Sequence, residues 1–303
     1  MGQAVCLFAM HSADGRLPAC VLHYLRELGG CGLAVHVALS GMAALHPEDR
    51  AALDDAGAVG HFRANRGLDF AAWQHLVELG CVADADFVVL ANDSVIGPLQ
   101  PLAPIFARMQ RLGCDVWGMV ESHEMAWHLQ SWFLCFTQRA WHTPQIARIL
   151  ALPFRDMDRA EIILHGEVGL GAAITAAGLS WAACWPDHRR GLRRLLAINP
   201  MHLDWMSILG SGAVPFIKVA LLRENPMRVP WLHRWPELAL RSSAVRSGQF
   251  PMAWICARIG PVSDGPRASL TMCLLYVLLT RDRMSALRAM GPGSRRAARA
   301  RTA

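Results

Sequence analysis

Apolar runs alternate with amphipathic segments along the first half of the chain. Continuous apolar runs, typical of buried strands, cover residues 4–10, 33–39, 59–62, 87–91 and 116–120. Segments with apolar positions at helical spacing lie between them, over 17–28, 46–56, 69–79 and 102–112. Near-continuous apolar strands separated by amphipathic helices predict an α/β fold whose parallel sheet is covered on both faces. Such sheets bind ligands at the carboxyl ends of their strands.

The second half of the chain has a less regular pattern. Residues 129–136 and 181–184 predict further strands, and residues 146–150 and 168–177 predict helices, the second closed by Gly178. The periodicity weakens near residue 240, where Ser, Gly and Pro become frequent. We therefore predict a domain over 1–240 and a C-terminal extension over 241–303 that contains an apolar helix at 270–279.

The formal net charge of +6 lies entirely between Arg281 and the C-terminus, where seven arginines face one acid, Asp282. The rest of the chain is neutral, which argues against a nucleic-acid-binding domain, because such a domain needs basic charge on a folded face. The apolar run at 270–279 is about half as long as a bilayer-spanning helix. Together with the arginines it suits peripheral contact with an anionic membrane surface. A solvated, disordered basic tail is the alternative.

The cysteines and the N-terminal segment indicate the compartment. Nine cysteines are scattered along the chain and none forms a CxxC pair. This pattern argues against a zinc site or a disulfide framework and predicts free thiols in a reducing compartment. The N-terminal segment lacks the basic n-region and cleavage site of a signal peptide. We therefore predict a cytoplasmic protein, with the inner face of the membrane as the place of any peripheral contact.

A polar turn precedes the helix predicted at 69–79. Asn65 and Gly67 suit the turn, and Asp69 occupies the position of a helix N-cap. The start of a helix after a strand and turn is where backbone N–H groups can receive a diphosphate. An ordinary turn with an aspartate cap explains the same residues.

The apolar run at 87–91 ends in Asn92, Asp93 and Ser94. A carboxylate at a strand end, flanked by two short oxygen-bearing side chains, can hold Mg²⁺ or Mn²⁺ against a substrate diphosphate. An Asx-turn after a strand is the alternative interpretation.

Two further segments carry candidate catalytic chemistry. Glu167 is expected at the start of a helix, where the macrodipole favours a carboxylate that can act as a general base. A first-turn glutamate that only stabilises its helix is the alternative. Later in the chain, His202, Lys218 and Arg223 could neutralise phosphate charge or orient a metal-bound diphosphate.

Seven short blocks follow one another between residues 65 and 226: N-x-G-x-D-F-x-x-W, NDS-x-x-GP, HLQSWFLCF, GEVGL, NP-x-H-x-x-W, PFIK and LLR-x-NP. Their order and spacing resemble the rhamnan synthesis F family over residues 4–226. The resemblance implies a GT-A-like α/β fold, with a mostly parallel sheet flanked by helices, followed by a helical C-terminal extension. It also implies sugar transfer from a nucleotide-sugar donor to a growing cell-surface polysaccharide or lipopolysaccharide. In members that act on rhamnose, the donor would be dTDP-L-rhamnose.

The resemblance implies roles for individual residues. The NDS segment looks like the DXD metal motif of GT-A enzymes, with Asp93 as its carboxylate and His202 as a late metal- or phosphate-binding histidine. Glu167 looks like the catalytic acid residue of their helix-borne motif, acting here as a general base. The residues implied to bind the nucleotide-sugar are Asn65, Gly67, Asp69, Asn92, Asp93, Ser94, His202 and Lys218.

The implied partners are a nucleotide-sugar donor and a glycan or lipid-linked glycan acceptor, with Mg²⁺ or Mn²⁺ as the cofactor and inversion by single displacement. Asn92 and Ser94 replace both outer acids of the DXD pattern, which predicts a weaker metal site or none. This departure favours a second hypothesis, a catalytically silent module that binds nucleotide-sugars or carbohydrates within a polysaccharide assembly complex. An unrelated nucleotide-binding α/β protein has no support from a P-loop or a GxGxxG fingerprint.

Overall fold

The computed structural model describes residues 3–12, 14–189, 198–260 and 269–290. The strands are β1 (Gln3–His11), β2 (Ala34–Ser40), β3 (Ala58–Arg63), β4 (Ala85–Asn92), β5 (Val95–Ile96), β6 (Val116–Ser122), β7 (His128–Leu129), β8 (Phe133–Thr137), β9 (Trp181–Trp185) and β10 (Ile217–Lys218). The apolar runs of the first half therefore form strands, as the sequence predicts. The run predicted at 129–136 is divided into β7 and β8.

The helices alternate with the strands and then follow one another in the second half. They are α1 (Ala19–Gly30), α2 (Pro47–Asp55), α3 (Leu68–Glu78), α4 (Ala103–Gln110), α5 (Gln138–Trp141), α6 (Pro144–Leu150), α7 (Arg159–Glu161), α8 (Gly169–Ala176), α9 (Pro200–Leu203), α10 (Trp205–Ser211), α11 (Val219–Glu224), α12 (Trp235–Ala239), α13 (Ser243–Arg246), α14 (Met252–Ile259), α15 (Leu270–Leu279) and α16 (Arg283–Met290). Single 3₁₀ turns lie at Phe154–Asp156 and Leu232–Arg234, and a π-helix spans Ile162–Val168.

The main sheet has the strand order β3-β2-β1-β4-β8-β6-β7, with β9 paired to β6. The pairs β1–β2, β1–β4, β2–β3 and β6–β9 are parallel, whereas β8 is antiparallel to both β4 and β6. The order 3-2-1-4 is that of a Rossmann-type sheet. The expected α/β fold with a mostly parallel sheet is confirmed. Both β7 and β8 are antiparallel to β6. An apolar run indicates that a strand is buried, but it does not indicate whether the strand runs parallel or antiparallel to its neighbours.

Helices cover both faces of this sheet. Alternate residues of β1 point to opposite faces, so Cys6 and Phe8 pack in one buried cluster with Tyr24 of α1, while Val5 packs in the other with Trp73 of α3. The indole Nε1 of Trp73 donates to the carbonyl oxygen of Ala91 over 3.1 Å and thereby fixes α3 against β4. Both clusters include side chains of β1 and β4, so helices pack on both faces of the strands that lead to the carboxyl edge of the sheet.

The helical segment that carries Glu167 begins earlier than the sequence indicates. A capping box starts α7, in which Asp158 Oδ1 accepts from the Glu161 backbone N–H (2.9 Å) and Glu161 Oε2 accepts from the Asp158 N–H (2.8 Å). The chain continues through the π-helix Ile162–Val168 into α8. Glu167 therefore lies inside a continuous helical segment, and its expected position at a helix N-terminus is wrong.

The chain after residue 240 packs partly on the preceding domain. Phe250 and Ile255 are fully buried in the same cluster as Phe8 and Leu25. The domain boundary near residue 240 stays a prediction. The arginines of the tail beyond residue 290 lie outside the described residues. Within the described part of the chain, no helix combines the length and apolar character needed to cross a bilayer.

Candidate active site

The carboxyl end of β4 joins two of the candidate segments. Asn92 is 2% exposed, and its Nδ2 donates to Asp69 Oδ2 over 2.6 Å. Its Oδ1 accepts from the backbone N–H of Ser94 (3.1 Å) and from the Ser94 hydroxyl (2.7 Å). The chain thus forms the Asx-turn that the sequence left open. This turn presents Asp93 at the edge of the sheet while Asn92 ties the edge to α3.

The turn before α3 places Asp69 beside that edge. Gly67 is the N-cap residue, and Asp69 lies in the first turn, so the predicted N-cap position of Asp69 is wrong. Gly67 has φ +71°, and a Cβ there would lie 2.5 Å from the Phe154 carbonyl oxygen, so only glycine fits. Asn65 lies exposed on the surface side of the turn. Of Asn65, Gly67 and Asp69, Asp69 is the residue that contacts the polar groups at the edge of the sheet, through its hydrogen bond with Asn92.

Two other carboxylates, Asp93 and Glu167, lie within electrostatic reach of Asp69. Burial, with the neighbouring Asp93 carboxylate as the second cause, raises the pKa of Asp69 to about 7, and Glu167 acts in the same direction. Lys218 and the Asn92 hydrogen bond oppose this shift. Burial also raises the pKa of Asp93. Asp69 therefore lies within electrostatic reach of both Asp93 and Glu167, which brings the NDS turn and the GEVGL segment to one place.

Lys218 supplies positive charge among these acids. It lies on β10, which pairs antiparallel with β5 so that Lys218 is opposite Val95, directly after the NDS turn. Its Nζ lies 5.7 Å from the centre of the Trp132 ring, a cation–π distance. Burial lowers the pKa of Lys218, while Glu167 and Asp69 counteract the shift. Lys218 is thus a desolvated cation facing two carboxylates.

Glu167 is oriented by the connection between β7 and β8. Its Oε1 accepts a hydrogen bond of 2.6 Å from the backbone N–H of Ser131. The preceding residue, Gly166, packs against α3, because a Cβ there would lie 2.9 Å from the Phe70 ring. Gly166 therefore permits the close approach of this helical segment to α3. Glu167 lies within electrostatic reach of Lys218 and Asp69. Its second oxygen remains available for another donor.

His202 lies next to Lys218 in a buried environment. It belongs to α9, whose N-cap residue is Asn199, and it is 6% exposed. Burial, with the Lys218 charge as a second cause, lowers the pKa of His202 to about 4. Its Nδ1 is buried without a hydrogen-bond partner. A neutral imidazole with an unsatisfied nitrogen is suited to bind a polar ligand atom.

Asp93 already has a cationic partner from outside the seven blocks. Arg258 of α14 donates through Nη2 to Asp93 Oδ2 (2.6 Å) and to the Asp93 carbonyl oxygen (3.0 Å). The Asp93 and Arg258 side chains are only 13% and 18% exposed. Arg223 in turn donates to the Arg258 carbonyl oxygen over 2.7 Å. The single carboxylate of the NDS turn is therefore neutralised by the protein.

This pairing bears on the expected Mg²⁺ or Mn²⁺. Magnesium usually binds through one or two carboxylates together with substrate phosphates. At the described part of this edge, Asp93, Asp69, Glu167 and His202 do not gather three donor atoms within 4.8 Å of one another. With Asp93 engaged by Arg258, the arrangement does not fit a cation held by Asp93 and His202. The metal roles of these two residues stay predictions.

A cavity of about 490 Å³ opens beside Asp93. It lies between the end of β1, the start of α1 and one side of α14, and Arg258 forms part of its wall. The lining residues are His11, Ser12, Asp14, Arg16, Leu17, Pro18, Ala19, Trp254, Ala257 and Arg258. Its volume is in the range of small-molecule sites, about 300–1,000 Å³. Arg258 thus connects this cavity with the carboxylate cluster.

Sequence reasoning missed several of these groups. Arg258 follows the last block and belongs to no motif, so no signal identified it. Gln130, Asn199 and Glu124 form a chain of side chains beneath His202, with Gln130 Nε2 to Asn199 Oδ1 at 3.0 Å and Asn199 Nδ2 to Glu124 Oε2 at 3.2 Å. Gln130 and Asn199 lie inside the HLQSW and NP-x-H blocks, and this position in the sequence could have identified them as candidate site residues.

The sequence model of the rhamnan synthesis protein F family matches residues 38–230. The chain belongs to the rhamnan synthesis protein F family. Membership confirms the resemblance carried by the seven blocks, and with it the connection to polysaccharide biosynthesis. The family match ends before α14, so Arg258 lies outside it.

Two solved structures share a similar fold over 60% of this chain. They are mouse xyloside xylosyltransferase 1 in its apo form (8% identity, 84% of that chain, TM-score 0.33) and HddC from Yersinia pseudotuberculosis (9% identity, 90% of that chain, TM-score 0.33). Comparison with curated proteins gave no match.

Proposed function

We propose that this family member transfers a sugar from a nucleotide-sugar donor to a glycan or lipid-linked glycan acceptor of a cell-surface polysaccharide. One observation carries the proposal: Asp69 and Glu167, from two separate blocks, lie within electrostatic reach of the partly buried cation Lys218 at the carboxyl edge of the sheet. Ligands of doubly wound sheets bind at this edge. In a pair of a desolvated cation and a carboxylate, the cation is suited to hold a phosphate and the carboxylate is suited to accept a proton.

The donor is proposed to span the cavity and the carboxylate cluster. Its nucleoside would occupy the cavity beside β1, where Trp254 offers an aromatic surface. Its diphosphate would then reach Arg258 and Lys218, whose charges lie on the two sides of the NDS turn. Guanidinium and ammonium groups are the usual protein partners of phosphate oxygens. In this arrangement, Asn92 keeps the turn rigid and does not itself carry charge.

Glu167 is the proposed general base. An acceptor hydroxyl oxygen attacks the anomeric carbon, the bond from that carbon to the diphosphate oxygen breaks, and the hydroxyl proton passes to Glu167. The diphosphate leaves with the electron pair of the broken bond, and Lys218 and Arg258 stabilise its added charge. A single displacement of this kind inverts the configuration at the anomeric carbon. The hydrogen bond from Ser131 N–H to Glu167 Oε1 leaves the other oxygen free for the proton.

Arg258 and Lys218 are the proposed partners of the diphosphate oxygens, and Asp93 already offsets the charge of Arg258. A bound Mg²⁺ or Mn²⁺ would stabilise the leaving diphosphate, but no step here depends on one. Activity measurements with and without a chelator test whether transfer depends on a divalent cation.

The acceptor side of the proposal involves the end of the chain. In α15 the side chains of Leu274, Leu275 and Leu278 are 51%, 41% and 57% exposed, and α16 begins with the exposed residues Arg283 and Met284. Exposed leucines next to arginines suit the interface of an anionic membrane. We propose that these helices hold the protein at the membrane where a lipid-linked acceptor lies.

The test is a thermal-shift screen of nucleotide-sugars, followed by a transfer assay with the donor that binds. Stabilisation by one donor and transfer to an extracted glycan acceptor support the proposal. Because the DXD pattern is incomplete and Asp93 is paired with Arg258, a silent binding module is the second hypothesis. Stabilisation without hydrolysis or transfer would establish that hypothesis, and absence of binding to any nucleotide-sugar would refute both.

A further inference from the structure

Two histidines and a cysteine meet at the edge of the sheet away from the acids. His36 lies on β2 and His61 on β3, the edge strand, and Cys81 follows α3. In the parallel register His36 is opposite Val59, and His61 is opposite Ala38, so both histidines project from the same face. The turn at Gly80 brings Cys81 back over that face. The three side chains come from three separate segments, and each is partly buried.

The distances between the donor atoms match those around a tetrahedral metal ion. His36 Nδ1 and His61 Nε2 are 3.2 Å apart, and Cys81 Sγ is 3.9 Å from His61 Nε2. All three donor atoms lie within 4.8 Å of one another. Bonds of about 2.0–2.1 Å to nitrogen and about 2.3 Å to sulfur at a tetrahedral angle separate two nitrogens by ~3.3 Å and nitrogen from sulfur by ~3.6 Å. Small side-chain rotations would therefore complete three bonds to one ion.

We propose that His36, His61 and Cys81 form a zinc-binding site that joins β2, β3 and the end of α3. Imidazole and thiolate donors without a carboxylate favour Zn²⁺ over Mg²⁺, Ca²⁺ or Mn²⁺. Three protein ligands leave a fourth position, which water fills because the site is only partly buried. The ion would be structural, since it would cross-link an edge strand that has one neighbour in the sheet.

The protonation states at this site suit metal binding. Burial lowers the pKa of both His36 and His61, so the two rings are neutral near pH 7 and each has a nitrogen lone pair. Burial raises the pKa of Cys81, so its thiol proton must be released to solvent when the sulfur binds Zn²⁺. Without a metal, the same rings form a hydrogen-bonded pair, which is the simpler explanation of their contact.

This site is separate from the proposed transfer site. Asp69 lies in the first turn of α3 and Cys81 after its last turn, and the 11 residues of α3 span about 16 Å. Loss of the ion is therefore expected to lower stability without removing a group that contacts donor or acceptor. Metal binding and sugar transfer can thus succeed or fail independently in experiments.

The experiment measures metal binding by the purified full chain after treatment with a chelator. Zinc titration against a chromophoric chelator should give about one Zn²⁺ per chain, and Cys81→Ser, His61→Ala and His36→Ala should each weaken binding about tenfold or more. Cys114→Ser, a partly buried thiol elsewhere, and His142→Ala, an exposed imidazole, are the matched controls and should bind like the unmodified protein.

Cobalt reports directly on the sulfur ligand, and its absorption in the unmodified protein does not depend on how well any variant folds. The Co²⁺-loaded unmodified protein should show a thiolate-to-cobalt charge-transfer absorption, and Cys81→Ser should lack it. Absence of that absorption in the unmodified protein would overturn the site. So would zinc affinity that stays the same in all three variants, because the contact would then be only a hydrogen bond between imidazoles.

Discussion

Arg258 and Asp93 are joined by a 2.6 Å ion pair across 165 residues of sequence. The pair connects α14 to the turn after β4, so it links the C-terminal helices to the edge of the sheet where the acids converge. Both side chains are largely buried, and neither charge can be left alone there without a substantial desolvation cost.

This relationship predicts a specific pattern of stability. Arg258→Gln should lower the free energy of unfolding by about 2–3 kcal/mol, somewhat below the cost of breaking a fully buried pair, because some exposure remains. The double variant Arg258→Gln with Asp93→Asn should recover much of that loss, because no uncompensated charge remains. Denaturant unfolding checks both values. With Asp93→Asn as the second single variant, a double-variant loss equal to the sum of the two single losses would mean that the pair contributes no coupling energy.

Replacement of the proposed base should reduce turnover selectively. Glu167→Gln retains the shape of the side chain and removes its capacity to accept a proton, so kcat should fall about 10²- to 10⁴-fold with little change in the KM for donor. Glu161→Gln, six residues earlier on the same helical segment, is the control and should retain activity, because glutamine also completes a capping box. Unchanged kcat in Glu167→Gln would exclude Glu167 as the base.

Lys218 is expected to act on the leaving diphosphate. Lys218→Met keeps the apolar stem beside Trp132 and removes the charge, so donor affinity and kcat should both fall. If Lys218 and Arg258 supply the phosphate charge, a chelator should leave most of the activity of the unmodified enzyme. Activity that vanishes with the chelator and returns with Mn²⁺ would instead show that a divalent cation is required.

The raised pKa of Asp69 predicts a pH-dependent stability cost. In the folded chain Asp69 titrates near 7, whereas in the unfolded chain it titrates near 3.8, so the folded state binds more protons between these values. Stability should therefore fall as pH rises from about 4 to 7, and the cost is fully present above that range. Asp69→Asn should be more stable than the unmodified protein at pH 8 by about 1–3 kcal/mol, and this advantage should shrink toward pH 4. A pH-independent difference in denaturant unfolding would refute the buried acid as its cause.

The exposed face of α15 predicts lipid-dependent association. Replacement of Leu274, Leu275 and Leu278 by serine should reduce co-sedimentation with vesicles that contain anionic lipid. Leu112→Ser is the control, because Leu112 is equally exposed but lies after α4, away from these helices. If the triple variant and the control bind vesicles equally, α15 is not the membrane contact.

The sequence predicted the scaffold better than the site. Buried strands such as β1 and β4 are continuous apolar runs, and that pattern requires only local information. The direction of β8 could not be predicted, because the apolar content of a strand is the same in either direction. The position of Glu167 was misjudged because the helix-starting capping box at Asp158 lies nine residues before it, and the π-helix between them has no simple periodicity.

The missed site residues have a common cause. Arg258 meets Asp93, and Cys81 meets His61, only because the fold brings distant segments together. No spacing within one segment encodes such a pair, and a lone arginine or cysteine on an amphipathic segment has many possible roles. By contrast, Asp69 and Asn92 were identified because each lies in a local motif at a strand end or helix start.

The position of Arg258 after residue 230 has a consequence for the whole family. The guanidinium that faces the NDS turn is supplied by a segment beyond the stretch by which membership is recognised. Two proteins can therefore share all seven blocks and still differ in what neutralises Asp93, one with an arginine and another with an ion. Cofactor requirement would then depend on the segment that follows the seven blocks in each chain.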